Sequence, residues 1–166
     1  MHLRFGRLLC LLLVVCLCVG CDNTVTTRTV TCDSLSMSIP KHFQDWVLLG
    51  YYSDVNFAYG YMERLVVGEK IPFSEFDGWV PSAKEYAKEF AYGNNLSTPV
   101  EERDGLITIY YEVLDTETNI LWGWLASFYT SSDSVWIVQC SCPADVFSEK
   151  ELDFRNYLHS VTFNEQ

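Results

Sequence analysis

Acyl or phosphoryl transfer needs a nucleophile with a base beside it, so the histidines are the first residues to place. His42 lies in the loop Pro40-Lys41-His42-Phe43, and His159 follows Arg155 by four residues on the solvated side of a predicted helix. Neither sits in a G-x-S-x-G, H-E-x-x-H or glycine-rich phosphate pattern, and both read as surface histidines. Paired carboxylates would serve glycoside hydrolysis by flanking the scissile bond. Glu101, Glu102 and Asp104 cluster at one turn and Asp115 and Glu117 at another, but at loop tips, where a solvated acidic surface is the default. Cys32, Cys140, Cys142 and His42 would supply four zinc ligands, yet a C-x-C pair on a flat strand does not converge to a tetrahedron. The expectation is a non-catalytic protein with no metal and no cofactor.

The cysteines carry a clearer message. Arg4 and Arg7 precede a twelve-residue apolar run, Leu8 to Val19. That is too short for a membrane-spanning helix, which needs about 20 residues, and suits the apolar region of a secretory signal. The stretch Leu17-Cys18-Val19-Gly20-Cys21 resembles a bacterial lipobox, with Cys18 where leucine is usual. The resemblance implies a diacylglyceryl group and palmitate on Cys21, cleavage before it, and a membrane anchor on the exported side of a bacterial envelope. An ordinary signal peptide or an uncleaved anchor is the competing reading. Residues 1–20 are thus read as signal, 21–30 as a threonine-rich tether, and 31–166 as one domain.

Cleavage also alters the charge. The whole chain carries 22 acidic and 11 basic residues, a net −11. Loss of Arg4 and Arg7 takes the mature form to −13. A phosphate backbone demands a basic face, so nucleic acid is excluded as a partner. Of seven cysteines, only Cys32, Cys140 and Cys142 remain as thiols of the domain. Cys140 and Cys142 share a strand face at i, i+2, too far apart for an unstrained bond. A disulfide would therefore join Cys32 to one of them; three reduced, buried thiols are the alternative.

Aromatic residues make up 15% of the chain, more than a core of this size requires. Tyr51, Tyr52, Tyr59, Tyr61, Trp79, Tyr110, Trp122 and Trp124 carry the surplus. Tyr59, Tyr61, Trp79, Trp122 and Trp124 are the candidate binding residues, able to stack on a sugar ring or pack against a protein.

The elements that must position these residues follow from periodicity. Val30 between two threonines enters a strand, and Leu35 to Ile39 alternates apolar and polar up to Pro40. Trp46 to Tyr52 is a second apolar run, and Val55 to Val67 predicts one long strand ended by Gly68 and Pro72. Ser82 to Tyr92 has apolar residues at i, i+3, i+4, i+7 and i+8, a Ser82/Glu85 capping box, and Gly93 as its left-handed stop. Strands at Pro99 to Arg103, Leu106 to Leu114, Ile120 to Tyr129 and Val135 to Ser141 follow, with Asp104-Gly105 as a tight turn. A second capping box, Ser148 with Glu151, opens a C-terminal helix whose inner face holds Phe147, Phe154, Leu158 and Val161. The order predicts an α+β fold, a mostly antiparallel sheet covered by helices. The central strands are apolar on both faces, so both faces should be covered, as in an α/β/α sandwich.

This order resembles the PsbP-like sandwich family, which includes the Mog-type Ran-binding proteins. The resemblance rests on Ile39-Pro40-Lys41, the helix from Lys84 to Phe90, the Asp104-Gly105 turn into three long strands, the Cys142-Pro143 exit, and Ser160 to Phe163 after the last helix. It implies a fold and carries no functional residue across. The expected function is that of a lipid-anchored binding or accessory module for an unknown protein or envelope component. A glycan- or small-molecule-binding protein, weakly hydrolytic at most and using an aromatic groove, is the second reading.

Overall fold

The computed structural model describes residues 26–45, 55–59 and 63–164. Among the described residues, ten strands form two antiparallel sheets, joined by two α-helices. The small sheet has the order β1-β2-β10, built from Thr27–Cys32, Leu35–Pro40 and Thr162–Phe163. The large sheet has seven strands in the order β3-β4-β5-β9-β8-β7-β6. Its members are β3 (Gln44–Asp45), β4 (Val55–Tyr59), β5 (Glu63–Pro72), β6 (Glu101–Arg103), β7 (Leu106–Asp115), β8 (Ile120–Thr130) and β9 (Ser134–Pro143).

The sheet is two meanders set side by side. The first ends at β5 and the second starts at β6 on the far edge, while β9 returns to pair with β5. The chain must therefore cross the face of β9, β8 and β7 between them, and helix α1 (Ala83–Gly93) makes that crossing. Its small inner residues Ala87 and Ala91 allow close approach to Ile109, Ala126, Phe128 and Ile137. The opposite face of the large sheet carries Leu106, Leu125, Trp136, Val138, Cys140 and Cys142. Two elements share its cover: helix α2 (Phe147–His159), through Phe147, Phe154 and Leu158, and the small sheet, through Leu35, Met37 and Ile39. Alternation along β9 feeds both cores, with Ile137 on the α1 side and Trp136 and Val138 on the other. The α+β class and the covered antiparallel sheet follow the sequence reading. The second face differs from a simple helical layer, because a three-stranded sheet fills the area beside α2.

Four local expectations are corrected. The single strand over Val55 to Val67 is two antiparallel strands, with Tyr59 opposite Glu63. Only three residues separate these partners, Gly60 among them, and a two-residue period runs through so short a reversal without a visible break. Gly68 does not end β5 but sits at the register shift between Val67 and Glu69, and the strand continues to Pro72. The left-handed stop of α1 falls on Asn95 (φ 54°) rather than Gly93, the last helical residue. There the Leu96 N–H donates to the Ala91 carbonyl at 2.8 Å, and the Asn94 amide side chain caps the Phe90 carbonyl at 2.8 Å. Lastly, Ser148 and Glu151 form no capping box. A 3-10 turn, Ala144–Val146, starts the helical winding before Phe147, which places Ser148 inside the helix. Glu151 instead pairs with Arg155 one turn on, at 2.8 Å.

The first capping box forms as expected: the Glu85 N–H donates to Ser82 Oγ at 3.3 Å, and the Ser82 N–H donates to Glu85 Oε2 at 2.9 Å. The Asp104-Gly105 turn has φ of 53° and 80°, the primed geometry that joins β6 to β7. The run Trp46 to Tyr52 lies outside the described residues.

Candidate functional site

Among the described residues, Trp79, Trp122 and Trp124 do not line one groove together. Cys21 and Tyr61 lie outside the described residues, and Tyr59 ends β4. Trp122 is buried in β8. Trp124 is half-buried and stacks on Tyr111, its cross-strand partner, with ring centroids 6.3 Å apart and planes 10° from parallel. Trp79 is 42% exposed and meets Phe76 edge-on at 5.8 Å, before α1 begins. A chain of ring contacts runs beneath α1 from Trp79 through Phe76, Tyr86, Phe128, Phe90 and Tyr111 to Trp124. Among the described residues this ring chain packs into the core beneath α1, with Trp79 and Trp124 at its opposite ends.

The charged clusters also resolve into structural pairs. Along edge strand β6, successive carboxylates point to opposite sides. Glu102 pairs with Lys84 of α1 at 2.6 Å, and Glu101 with Arg155 of α2 at 3.3 Å. Asp115 Oδ1 accepts the backbone N–H of Glu117 and Thr118, which closes the β7–β8 turn. His159 and His42 are both exposed, and the His42 ring leans on Phe43 at 5.2 Å. Cys140 and Cys142 are buried, and Cys32, half-buried on β1, packs against the same core. Among the described residues no three His, Cys, Asp or Glu side chains converge as a metal site.

Two surface features stand out. The first is the turn end of the β7–β8 hairpin. Burial declines along β7 from Leu106, Thr108 and Ile109 to the exposed Glu112, Val113 and Leu114. Leu114 faces Leu121 across the ladder, and Val113, Leu114 and Leu121 are 46%, 53% and 43% exposed.

The second is a groove of about 410 Å³ where the two sheets meet, lined by Thr31, Asp33, Ser34, Lys70, the Ser131–Asp133 turn, Phe163 and Asn164. Each side chain arrives from a different element. Asp33 heads the β1–β2 turn in the left-handed region (φ 51°), a conformation aspartate tolerates. Lys70 comes from β5 and lies over the Trp136 ring, 5.6 Å from its centroid. Its ammonium makes a close ion pair with Asp33 and a second with Asp133 at 3.4 Å. Asp133 also accepts from Ser134 Oγ at 2.6 Å and Ser131 Oγ at 3.1 Å. Asn164 donates from its backbone to Ser34 O at 2.8 Å and from its amide to Ser36 Oγ at 3.1 Å.

The hydrogen bond to Asp33, then the one to Asp133, raise the Lys70 ammonium above its ordinary range, so it is a fixed donor and not a base. The Ser134 hydroxyl, with Ser131 and Lys70 behind it, holds the Asp133 carboxyl below the usual carboxylate range. Sequence reading missed this groove because its residues are spread from Thr31 to Asn164, and only the β-pairing brings them together. The one local signal was Asp33-Ser34, a turn dipeptide between two strand patterns.

No protein-family model matches the sequence, and no curated protein does. Solved structures do. Cyanobacterial PsbP (CyanoP) from Synechocystis aligns at TM-score 0.56 and 15% identity, covering 87% of this chain and 96% of its own. A Bacteroides thetaiotaomicron protein aligns at 0.55 and 10% identity, over 84% of this chain and 49% of its own, so this chain spans about half its length. The Saccharomyces cerevisiae Ran-binding protein Mog1p aligns at 0.52 and 8% identity, over 84% and 96%. The chain has the PsbP-like, Mog1-type fold; at these identities the likeness is one of fold.

Proposed function

We propose that this chain is a non-catalytic binding module for a protein partner, held on the exported side of a bacterial membrane by acyl chains on Cys21. The observation that carries the binding role is the exposed turn end of the β7–β8 hairpin. A small domain hides its large apolar side chains where it can, and Leu114 and Leu121, paired across one face of the hairpin and left in water, mark an interaction surface. A fold shared with a Ran-binding protein supports the same reading. The anchor rests on the lipobox-like stretch before Cys21. The net −13 of the mature domain would repel anionic headgroups, so attachment would depend on the acyl chains.

The test is capture from detergent-solubilised membranes after crosslinking, comparing the native chain with Leu114→Asp/Leu121→Asp. The expected result is one or more proteins recovered with the native chain and lost with the double variant. Recovery of the bait alone, or equal recovery with both, refutes the reading. Mass spectrometry of the mature N-terminus addresses the anchor separately: a diacylated Cys21 is expected, and an intact, unmodified residue 1–20 segment overturns it.

A further inference from the structure

We infer that the groove around Lys70 is a binding site for a neutral saccharide unit. The inference is independent of the hairpin surface, because the lining residues of the groove and Val113, Leu114 and Leu121 have none in common.

The groove offers acceptors from Asp33 and Asp133, donors from Lys70, and groups of both kinds from Thr31, Ser34, Ser131, Ser132 and Asn164. One wall is the ring of Phe163, which packs against Trp136 at 6.1 Å and Tyr129 at 6.2 Å and is thereby held in place. Its volume of about 410 Å³ falls within the size range of small-molecule pockets.

Charge then selects the ligand class. Two ionised carboxylates against one ammonium leave a net negative site on a negative domain, so a phosphate or carboxylate ligand is repelled. A cation would have to displace Lys70, which already lies between both carboxylates over an aromatic ring. An apolar ligand would desolvate three charges and return nothing. An uncharged polyol gives every one of these groups a hydrogen bond while leaving the ion pairs in place. An apolar sugar face against Phe163 completes the match. Position agrees with this. The tether enters β1 at Thr27, and the groove opens at Asp33, about 20 Å further along an extended strand. Under the proposed anchor, the groove therefore lies at the end of β1 away from the lipid.

The test is titration of the ¹⁵N-labelled domain with methyl glycosides of neutral hexoses and N-acetylhexosamines, and with their oligosaccharides. Inorganic phosphate and spermidine serve as the charged probes. The expected result is saturable shifts confined to Thr31–Ser34, Lys70, Ser131–Asp133 and Phe163–Asn164 with at least one neutral sugar. Asp33→Asn and Asn164→Ala, both at exposed positions, should each weaken that binding about tenfold while leaving the remaining spectrum unchanged. Tighter binding of the oligosaccharide than of the monomer would assign the source to a glycan chain, and equal binding to a free sugar; either supports the inference. No saturable shift with any neutral sugar, shifts that map elsewhere, or preferential binding of phosphate or spermidine would overturn it.

Discussion

Phe147 and Gly123 are in direct contact, and a side chain at residue 123 would fit only if its neighbours gave way. A Cβ there would stand 3.0 Å from Phe147 Cδ2 and 3.2 Å from Cγ, with the Tyr110 hydroxyl oxygen also at 3.0 Å. Phe147 is the first residue of α2 and Gly123 lies inside β8, so this is where the helix seats on the sheet. The Tyr110 and Phe147 rings are 4.5 Å apart and close the site from the side. Glycine inside a strand is ordinarily a weakness, and its replacement by alanine should help. Here Gly123→Ala should instead cost about 1–3 kcal/mol, the usual range for overfilling a packed site. Urea unfolding at constant m-value checks it, and a more stable variant would contradict the packing described.

Thr108 poses the opposite problem. It is buried on β7, and its hydroxyl oxygen makes no hydrogen bond among the described residues. Its cross-strand partner Ser127 satisfies itself by donating to the Ile107 carbonyl at 3.3 Å. Desolvating a hydroxyl without return costs about 1–3 kcal/mol. Valine has nearly the same shape, so Thr108→Val should raise stability by about 1 kcal/mol and lift the melting temperature by a few degrees. A loss of stability would show that the hydroxyl has a bonded partner in solution.

Legibility in the sequence followed the range of the interaction. Ser82 with Glu85, and Asp104 with Gly105, are short-range signals whose chemistry closes within four residues, and both form as read. The core faces were legible because alternation on β7, β8 and β9 requires two covers. What covers each face was not. Leu35, Met37 and Ile39 alternate like any strand, and nothing local says that they form a separate small sheet beside α2. The candidate sites divide in the same way. Trp122 and Trp124 are two residues apart and share a strand face, yet one is buried and the other half-buried, because cover depends on distant elements. Lys70, Asp33 and Asp133 carry no pattern along the chain at all; register alone makes them neighbours.

The capping box at the start of α1 makes a further prediction. Ser82→Ala removes the acceptor for the Glu85 N–H and the hydroxyl donor to the Glu85 carboxylate, while the backbone N–H of residue 82 still donates to that carboxylate. Loss of such a cap costs about 1 kcal/mol. Hydrogen bonds from the Ser82 backbone and then its hydroxyl hold the Glu85 carboxyl below its ordinary range. A depressed carboxylate contributes stability above its unfolded value and loses it as pH falls. The native chain should therefore lose part of its advantage over Ser82→Ala as pH drops through 4.5 and below. Parallel denaturation curves at pH 7 and pH 3 measure it, and an undiminished gap at pH 3 would refute the assignment.

Tyr129 ties the two covers of one sheet face together and makes the chain sensitive to alkali. Its hydroxyl donates to the Leu158 carbonyl near the end of α2 at 2.8 Å, and its ring meets Phe163 of β10 at 6.2 Å. Burial pushes the phenol above its ordinary value of 10, and it pushes Tyr86 of α1 up to about 12. A phenol kept protonated by the fold contributes its full stability below pH 10. That contribution is lost as pH rises toward the folded-state value, because the unfolded chain releases its proton first. The domain should therefore weaken steeply between pH 10 and pH 12, while pH 7 to 9 changes little through these groups. Tyr129→Phe keeps the ring and deletes the titrating group. At pH 7 it should cost about 1 kcal/mol for the lost hydrogen bond, the lower part of the usual range, since the Leu158 carbonyl still accepts from the Val161 N–H. Above pH 10 the difference should shrink and then reverse, leaving the phenylalanine variant the more stable protein. Thermal melts of both proteins across pH 7 to 12 would show the crossing, and parallel curves would rule out Tyr129 as a source of the alkaline transition.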